Sequence, residues 1–132
     1  MFTLGVSDHV MIAHSFSHEF FGPAQRVHGA TYALDLEVKC PTLGVHHVVM
    51  DIGALRTILR EVLAPLDYQN LDAHPDFQLN YSTTERIAEY VATRARTKLT
   101  ELTGAGAPPA GGSIRVVVRE SPVAYAAFEC AF

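Results

Sequence analysis

Seven histidines and two cysteines are the side chains of this 132-residue chain best suited to metal or nucleophilic chemistry. A catalytic zinc needs about three protein donors and one open position. Spacing therefore decides which of these residues could share an ion. His46 and His47 are adjacent. Neighbouring residues on a strand point to opposite faces, so this pair cannot chelate together within one chain. His9 and His14 are an odd number of residues apart on one predicted strand, and they too face apart. His74, beside Pro75, reads as a loop residue. His14 and His28 remain, with His18 in the loop between them. Cys40 and Cys130 lie far apart and form no C-x-x-C pair, so they read as free thiols rather than a disulfide.

Other residues carry recognition or proton-transfer capacity. Glu120 closes a predicted strand and shares a face with Ile114, Val116 and Val118, which argues against simple solvation. A carboxylate facing two parallel N–H donors is a natural bidentate partner for them. Asp67 stands beside Tyr68. A phenol has a pKa of about 10 and is mainly a proton donor near neutrality. Ser82 and Glu85 fit an S-x-x-E capping box, with Ser82 as the N-cap and Thr83 just inside the helix start. Asp51 precedes another helical pattern and reads as its cap.

These residues must be positioned by a small set of elements. Phe2 to Phe16 reads as a strand, followed by a loop from Ser17 to Val27. Tyr32, Leu34, Leu36 and Val38 alternate with polar or small residues, the period of a half-buried antiparallel strand. Pro41 to Gly44 makes a turn, and Val45 to Asp51 reads as a third strand. Leu55, Ile58, Leu59, Val62 and Leu63 then fall on one helical face, and Pro65 ends the helix. Ile87, Val91, Ala95, Leu99 and Leu102 form the face of a second helix. A Gly/Ala/Pro loop leads to a fourth strand, Ile114 to Glu120, and Tyr125 to Phe132 is an extended tail. The order β-β-β-α-α-β predicts an α+β domain spanning residues 1–132, an antiparallel four-stranded sheet with two helices on one face. Apolar positions on both sides of the last strand predict that neighbouring subunits cover the other face.

Composition excludes several classes. Hydrophobic residues make up 48% and charged residues 18%, a folded composition. The net charge is −4, without the basic stripe of a nucleic-acid binder. No apolar run reaches membrane-spanning length, and Met1 to Asp8 has no signal-peptide pattern. The expectation is a cytoplasmic protein with no nucleic-acid or membrane partner.

Six segments line up, in order, with one family. They are Ile12-Ala13-His14, Val27-His28-Gly29-Ala30-Thr31-Tyr32, Val48-Val49-Met50-Asp51-Ile52, Leu66-Asp67-Tyr68-Gln69-Asn70-Leu71, Ser82-Thr83-Thr84-Glu85 and Arg119-Glu120-Ser121. Together the sequence resembles a divergent 6-pyruvoyl-tetrahydropterin synthase / 6-carboxy-tetrahydropterin synthase. The resemblance implies the tunnelling fold, whose protomers join their sheets into a barrel as a homotrimer or homohexamer, with sites at subunit interfaces. It implies a pterin-like small-molecule ligand, held by Glu120 and Thr83. It implies zinc as cofactor, with His14 and His28 matching two of three ligands. The third family ligand is replaced by Ala30, and His18 is the nearest spare candidate. Without metal, His14 and His28 would be hydrogen-bonded pocket residues. The family's catalytic cysteine is replaced by Ala24, and its Asp-His pair is Asp67 and Tyr68 here, the implied catalytic residues. Tyr68 would act as a general acid or pack at the interface. Arg26 and Arg119 are candidates for a substrate phosphate.

The expected function is that of a lyase, acting on a reduced pterin or similar bicyclic substrate with non-standard catalytic residues. The alternatives are a non-catalytic pterin- or purine-binding homologue and an assembly protein without a small ligand.

Overall fold

The computed structural model describes residues 1–78 and 81–132. Two long strands, β1 (Phe2–His14) and β2 (His28–Cys40), form an antiparallel pair that runs from Phe2 opposite Cys40 to His14 opposite His28. Alternation holds along both. Val6, Val10, Ile12 and His14 on β1, and Tyr32, Leu34, Leu36, Val38 and Cys40 on β2, all point to the buried side. After helix α1 (Ile52–Leu63) comes a two-residue strand, β3 (Gln69–Asn70), parallel to the end of β1. Helix α2 (Thr84–Thr100) precedes the hairpin of β4 (Ser113–Ser121) and β5 (Ala124–Ala131). The sheet order is β3-β1-β2-β4-β5.

Both helices lie on one face, as the apolar periodicity predicts. Leu55, Leu59 and Val62 of α1 and Ile87, Val91, Ala95 and Leu99 of α2 join Val10, Leu34, Leu36, Val116 and Val118 in one core. Asp51 caps α1, its Oδ1 accepting from the Gly53 and Ala54 amides at 2.7 and 3.2 Å. Short 3-10 segments occur at Glu19–Gln25, Leu71–Ala73 and Gly104–Gly106.

Three expectations need correction. The sheet has five strands and is mixed, because the Tyr125–Phe132 tail pairs along β4 and β3 adds a parallel edge. The expected strand over Val45 to Asp51 is a run of turns. Its hydrogen bonds close locally, from the Gly44 amide to the Val48 carbonyl and from the His47 amide to the Gly44 carbonyl. The neighbours Val49 and Met50 are both buried, which a strand with one solvated face does not allow. The cap of α2 is Thr83, not Ser82: Thr83 Oγ1 accepts from the Arg86 amide at 3.3 Å. Ser82 is drawn inward to a different partner, described below.

The sheet face away from the helices is polar. Ser7 bonds Asp35 at 2.6 Å, Arg115 pairs with Glu37 at 3.2 Å, and Lys39 pairs with Glu129 at 3.3 Å. Val117 is buried among these side chains. Among the described residues, no helix is long and apolar enough to cross a membrane.

Candidate ligand-binding cleft

The β1–β2 ladder ends with His14 opposite His28, both on the helix side of the sheet. Their rings meet edge to face with centroids 4.5 Å apart. The chain between them folds back over this end. Its 3-10 segment is broken at Gly22, whose φ of 54° with ψ of −125° suits glycine alone. The Phe16 amide then bonds the Ala24 carbonyl at 3.0 Å. This return sets Phe16, Phe21 and Ala24 along one wall of a cleft of about 670 Å³. The start of α2 supplies Thr83, Thr84 and Glu85, β2 supplies Ala30 and Tyr32, and the end of β4 supplies Glu120.

Glu120 owes its position to a β-bulge. Arg119 pairs with Tyr125 and Ser121 with Ala124, so two steps on β4 match one step on β5 and Glu120 is the extra residue. A bulge bends the strand and re-aims a side chain. Here the Glu120 carboxylate reaches across to α2 and accepts a hydrogen bond from the Thr84 hydroxyl.

The histidine tautomers follow from their partners. His14 Nδ1 lies 3.0 Å from the Ser82 carbonyl and 3.0 Å from its hydroxyl. A carbonyl only accepts, so Nδ1 carries the proton and Nε2 keeps a lone pair. The Tyr32 hydroxyl, 3.4 Å away, donates to that Nε2. His28 Nδ1 likewise donates to the Arg26 carbonyl at 2.8 Å, leaving its Nε2 as an acceptor. Burial depresses the His14 pKa, and the neighbouring His28 lowers it further. The Tyr32 phenol is pushed up to about 12, first by burial and then by the Glu120 carboxylate.

Four of the six segments that align in sequence meet at the cleft, contributing His14, His28–Tyr32, Thr83–Glu85 and Glu120. The 6-pyruvoyl tetrahydropterin synthase family matches residues 3–130. The chain belongs to that family. It is 27% identical over 131 residues to the 6-carboxy-5,6,7,8-tetrahydropterin synthase of Bacillus subtilis, covering 96% of this chain and 84% of the relative. Its fold superimposes on the 6-pyruvoyl tetrahydropterin synthase of Caenorhabditis elegans with a TM-score of 0.80 at 20% identity, over 98% of this chain and 96% of that one. The Plasmodium vivax 6-pyruvoyl tetrahydropterin synthase superimposes with a TM-score of 0.74 at 18% identity, over 98% of both chains.

Set against the expectations for a 6-pyruvoyl tetrahydropterin synthase relative, the structure brings together His14, His28, Thr83, Glu120, Ala24 and Ala30 around one cleft. It does not bring Asp67 and Tyr68 there. Asp67 fastens β3 to β1, its carboxylate accepting from the Met11 amide at 2.9 Å. Tyr68 is 78% exposed, has a φ of 58°, and lines a separate open groove with Met11, Ala13 and Gln69. Neither Arg26 nor Arg119 lines the cleft. Arg119 lies on the polar outer face beside Asp35 and over the Tyr125 ring.

The spare histidines are also accounted for. His9 is exposed on the outer face, and His46 and His47 are exposed in the turn. His18 Nδ1 accepts from the Phe20 amide at 3.0 Å, so its lone pair is committed. His74 Nδ1 accepts from the Asp76 amide in the same way. Among the described residues, no group of three His, Cys, Asp or Glu side chains is placed to hold a metal ion. Two Nε2 atoms are one donor short of the set that a family zinc requires.

Sequence reasoning missed Tyr32, Thr84, Phe16 and Phe21. Tyr32 could have been found, since period two puts it on the face shared by His28 and Ala30. Thr84 was hidden by the one-residue offset of the helix cap. Nothing local in the sequence announces that the 15–27 loop folds Phe21 onto Phe16, their centroids 4.7 Å apart.

Proposed function

We propose that this chain is a pterin-binding protein of lyase ancestry, whose cleft takes a reduced pterin or a similar bicyclic ring. The observation that carries the reading is the Glu120 carboxylate at the β4 bulge, fixed by Thr84 beside the aromatic wall of Phe16 and Phe21. A carboxylate held in that way is matched to a ring edge bearing two parallel N–H donors. The Phe16 and Phe21 rings, tilted 42° to each other, offer aromatic surface to such a ring. Thr83 stands at the same end of the cleft as a second recognition residue. The ring's side chain would then point toward His14, His28 and Tyr32.

The reaction proposed is a carbon–oxygen or carbon–carbon lyase step. Asp67 and Tyr68 would serve it from a neighbouring protomer of a homotrimer or homohexamer, with Tyr68 as proton donor. The left-handed backbone at an exposed aromatic residue supports this, because strain of that kind is kept where a side chain has a task. Zinc is the family's expected cofactor, and His14 and His28 would be its ligands. The donor set falls one short, so no step is assigned to it. A second reading, a non-catalytic pterin- or purine-binding homologue, is favoured by Ala24 and Ala30. Both line the cleft, and neither methyl group can move a proton or bind a metal.

Fluorescence titration of the untagged protein with a reduced pterin tests the first claim. Binding that weakens at least tenfold in Glu120→Gln is expected, since the amide puts an NH2 donor where one carboxylate oxygen had accepted. Unchanged affinity in that variant would remove the proposed anchor. Product formation under the same conditions separates the lyase from the binding homologue.

A further inference from the structure

Resting on that reading of the cleft, we propose that residues 17–23 form a hinged flap. Phe20 is then a further ligand-contacting residue, which the flap lays over the open face of the bound ring.

The base of the flap is pinned. The Asp72 carboxylate accepts from the Ser15 amide and hydroxyl at 3.0 and 2.5 Å. The Phe16 amide bonds the Ala24 carbonyl, and the Arg26 carbonyl accepts from His28 Nδ1. Between these pins the hydrogen bonds close inside the loop. The Phe20 amide donates to His18 Nδ1 at 3.0 Å, and the Phe21 amide to the His18 carbonyl at 3.1 Å. Gln25 Nε2 donates to the Gly22 carbonyl at 3.0 Å. Among the described residues, one hydrogen bond leaves residues 17–23 for the body of the protein, between Ser17 Oγ and Tyr81 Oη at 3.3 Å. The other tie is the Phe21 ring, 4.7 Å from Phe16 and 5.2 Å from Tyr81 between centroids. No side chain of the Glu19–Gln25 segment is buried. A segment with internal bonds and few buried contacts opens at low cost and keeps its own shape as it moves. Its ends are Ser17, exposed, and Gly22-Pro23, where the chain departs from helical geometry. Such loop positions absorb the dihedral changes of a hinge.

Phe20 gives the motion a purpose. Its ring is 83% exposed and stands edge-on to Phe21, centroids 5.3 Å apart at 84°. A lone exposed apolar side chain is ordinary. This one adjoins a ring that lines the cleft, on a segment free to swing. A bicyclic ring anchored by Glu120 would meet Phe16 and Phe21 on one side only. The helix side of the cleft, Thr83 to Glu85, has no aromatic surface to offer the other. Small-molecule sites bury most of their ligand. Phe20 closing on the ring would supply that cover and would withdraw a phenyl group from water.

The test uses untagged full-length protein and unsubstituted pterin as the probe. Stopped-flow fluorescence reads association and release, light scattering reads oligomeric mass, and chymotrypsin reads access to Phe20. Phe20→Ala is expected to speed release about tenfold and to leave association within about threefold, because the flap contact forms after entry. Phe20→Tyr keeps the ring and should release within about twofold of the wild type. Saturating pterin should slow cleavage after Phe20 about tenfold, the flap being held closed. Wild-type release from Phe20→Ala, or digestion unaffected by saturating pterin, overturns the flap. A change of oligomeric mass in Phe20→Ala also overturns it and assigns Phe20 to a subunit contact. A wild type that binds pterin but fails these tests leaves the ring reading standing. A wild type that binds no pterin removes that reading and the flap with it.

Discussion

Tyr32 couples two environments that usually exclude each other, a buried phenol and a nearby carboxylate. Its pKa of about 12 in the folded state lies above the ordinary phenol value of about 10. The native state therefore holds the proton more tightly than the unfolded chain. The stability this contributes is fully present below about pH 10 and is lost as the pH rises from about 10 to about 12. An ultraviolet titration should show a late-ionising phenolate that disappears in Tyr32→Phe, and that variant should lose less stability than the wild type over the same window. Equal alkaline loss in both proteins would place the effect elsewhere. At this scale the sequence was readable wherever a residue's task depends on strand parity. His9 and His14 separate as expected, and so do the faces of His28 and its neighbours. It was unreadable where the task depends on a partner far along the chain, as with Ser82 on His14 and Thr84 on Glu120.

Helix ends show how a one-residue offset hides a function. The S-x-x-E pattern at Ser82 is genuine, but a capping box competes with the buried His14 for the same hydroxyl. In the fold both the carbonyl and the hydroxyl of Ser82 lie 3.0 Å from His14 Nδ1, and Thr83 takes over the cap. Thr83→Ala should therefore lower stability by about 1 kcal/mol in urea unfolding, the usual cost of a lost cap, with the His14 ring environment unchanged. Ser82→Ala should disturb His14 instead, most visibly in the chemical shift of its ring protons. The reverse assignment of the two effects would restore Ser82 as the cap. The misread third strand has a similar origin. Val45, Val48 and Val49 have strand propensity, but their segment closes its hydrogen bonds on itself, Gly44 to Val48 and His47 to Gly44, and buries the neighbours Val49 and Met50 together. The long alternating run on β2 and both apolar helix faces were legible, because burial on one side imposes a period.

Over the whole molecule, one sheet edge is the eight-residue β5 and the other is the two-residue β3 beside the end of β1. An exposed edge of that length is a template for pairing with another chain. Joining protomers edge to edge would satisfy β5 and would carry Tyr68 toward a neighbour. If sites are shared in this way, two inactive variants should complement each other. Mixed oligomers of Tyr68→Ala and Glu120→Gln, unfolded and refolded together, should recover up to about a quarter of wild-type activity or tight binding sites, because some interfaces combine two intact halves. No recovery would confine each site to one chain. An assembly is implied by the family resemblance and expected from apolar positions on both sides of the last strand, but nothing local in the sequence reveals which edge stays open. The bulge at Glu120 also bears on how this protein could change over time. Because Arg119 and Ser121 pair on either side of one supernumerary residue, excising Glu120 would heal the ladder rather than break it. A deletion variant should melt within about 1 kcal/mol of the wild type, a surface-sized effect, yet have no anchor for a ring. The proposed ring anchor is an insertion in an otherwise regular hairpin, so the scaffold would outlive such a ligand by a single codon.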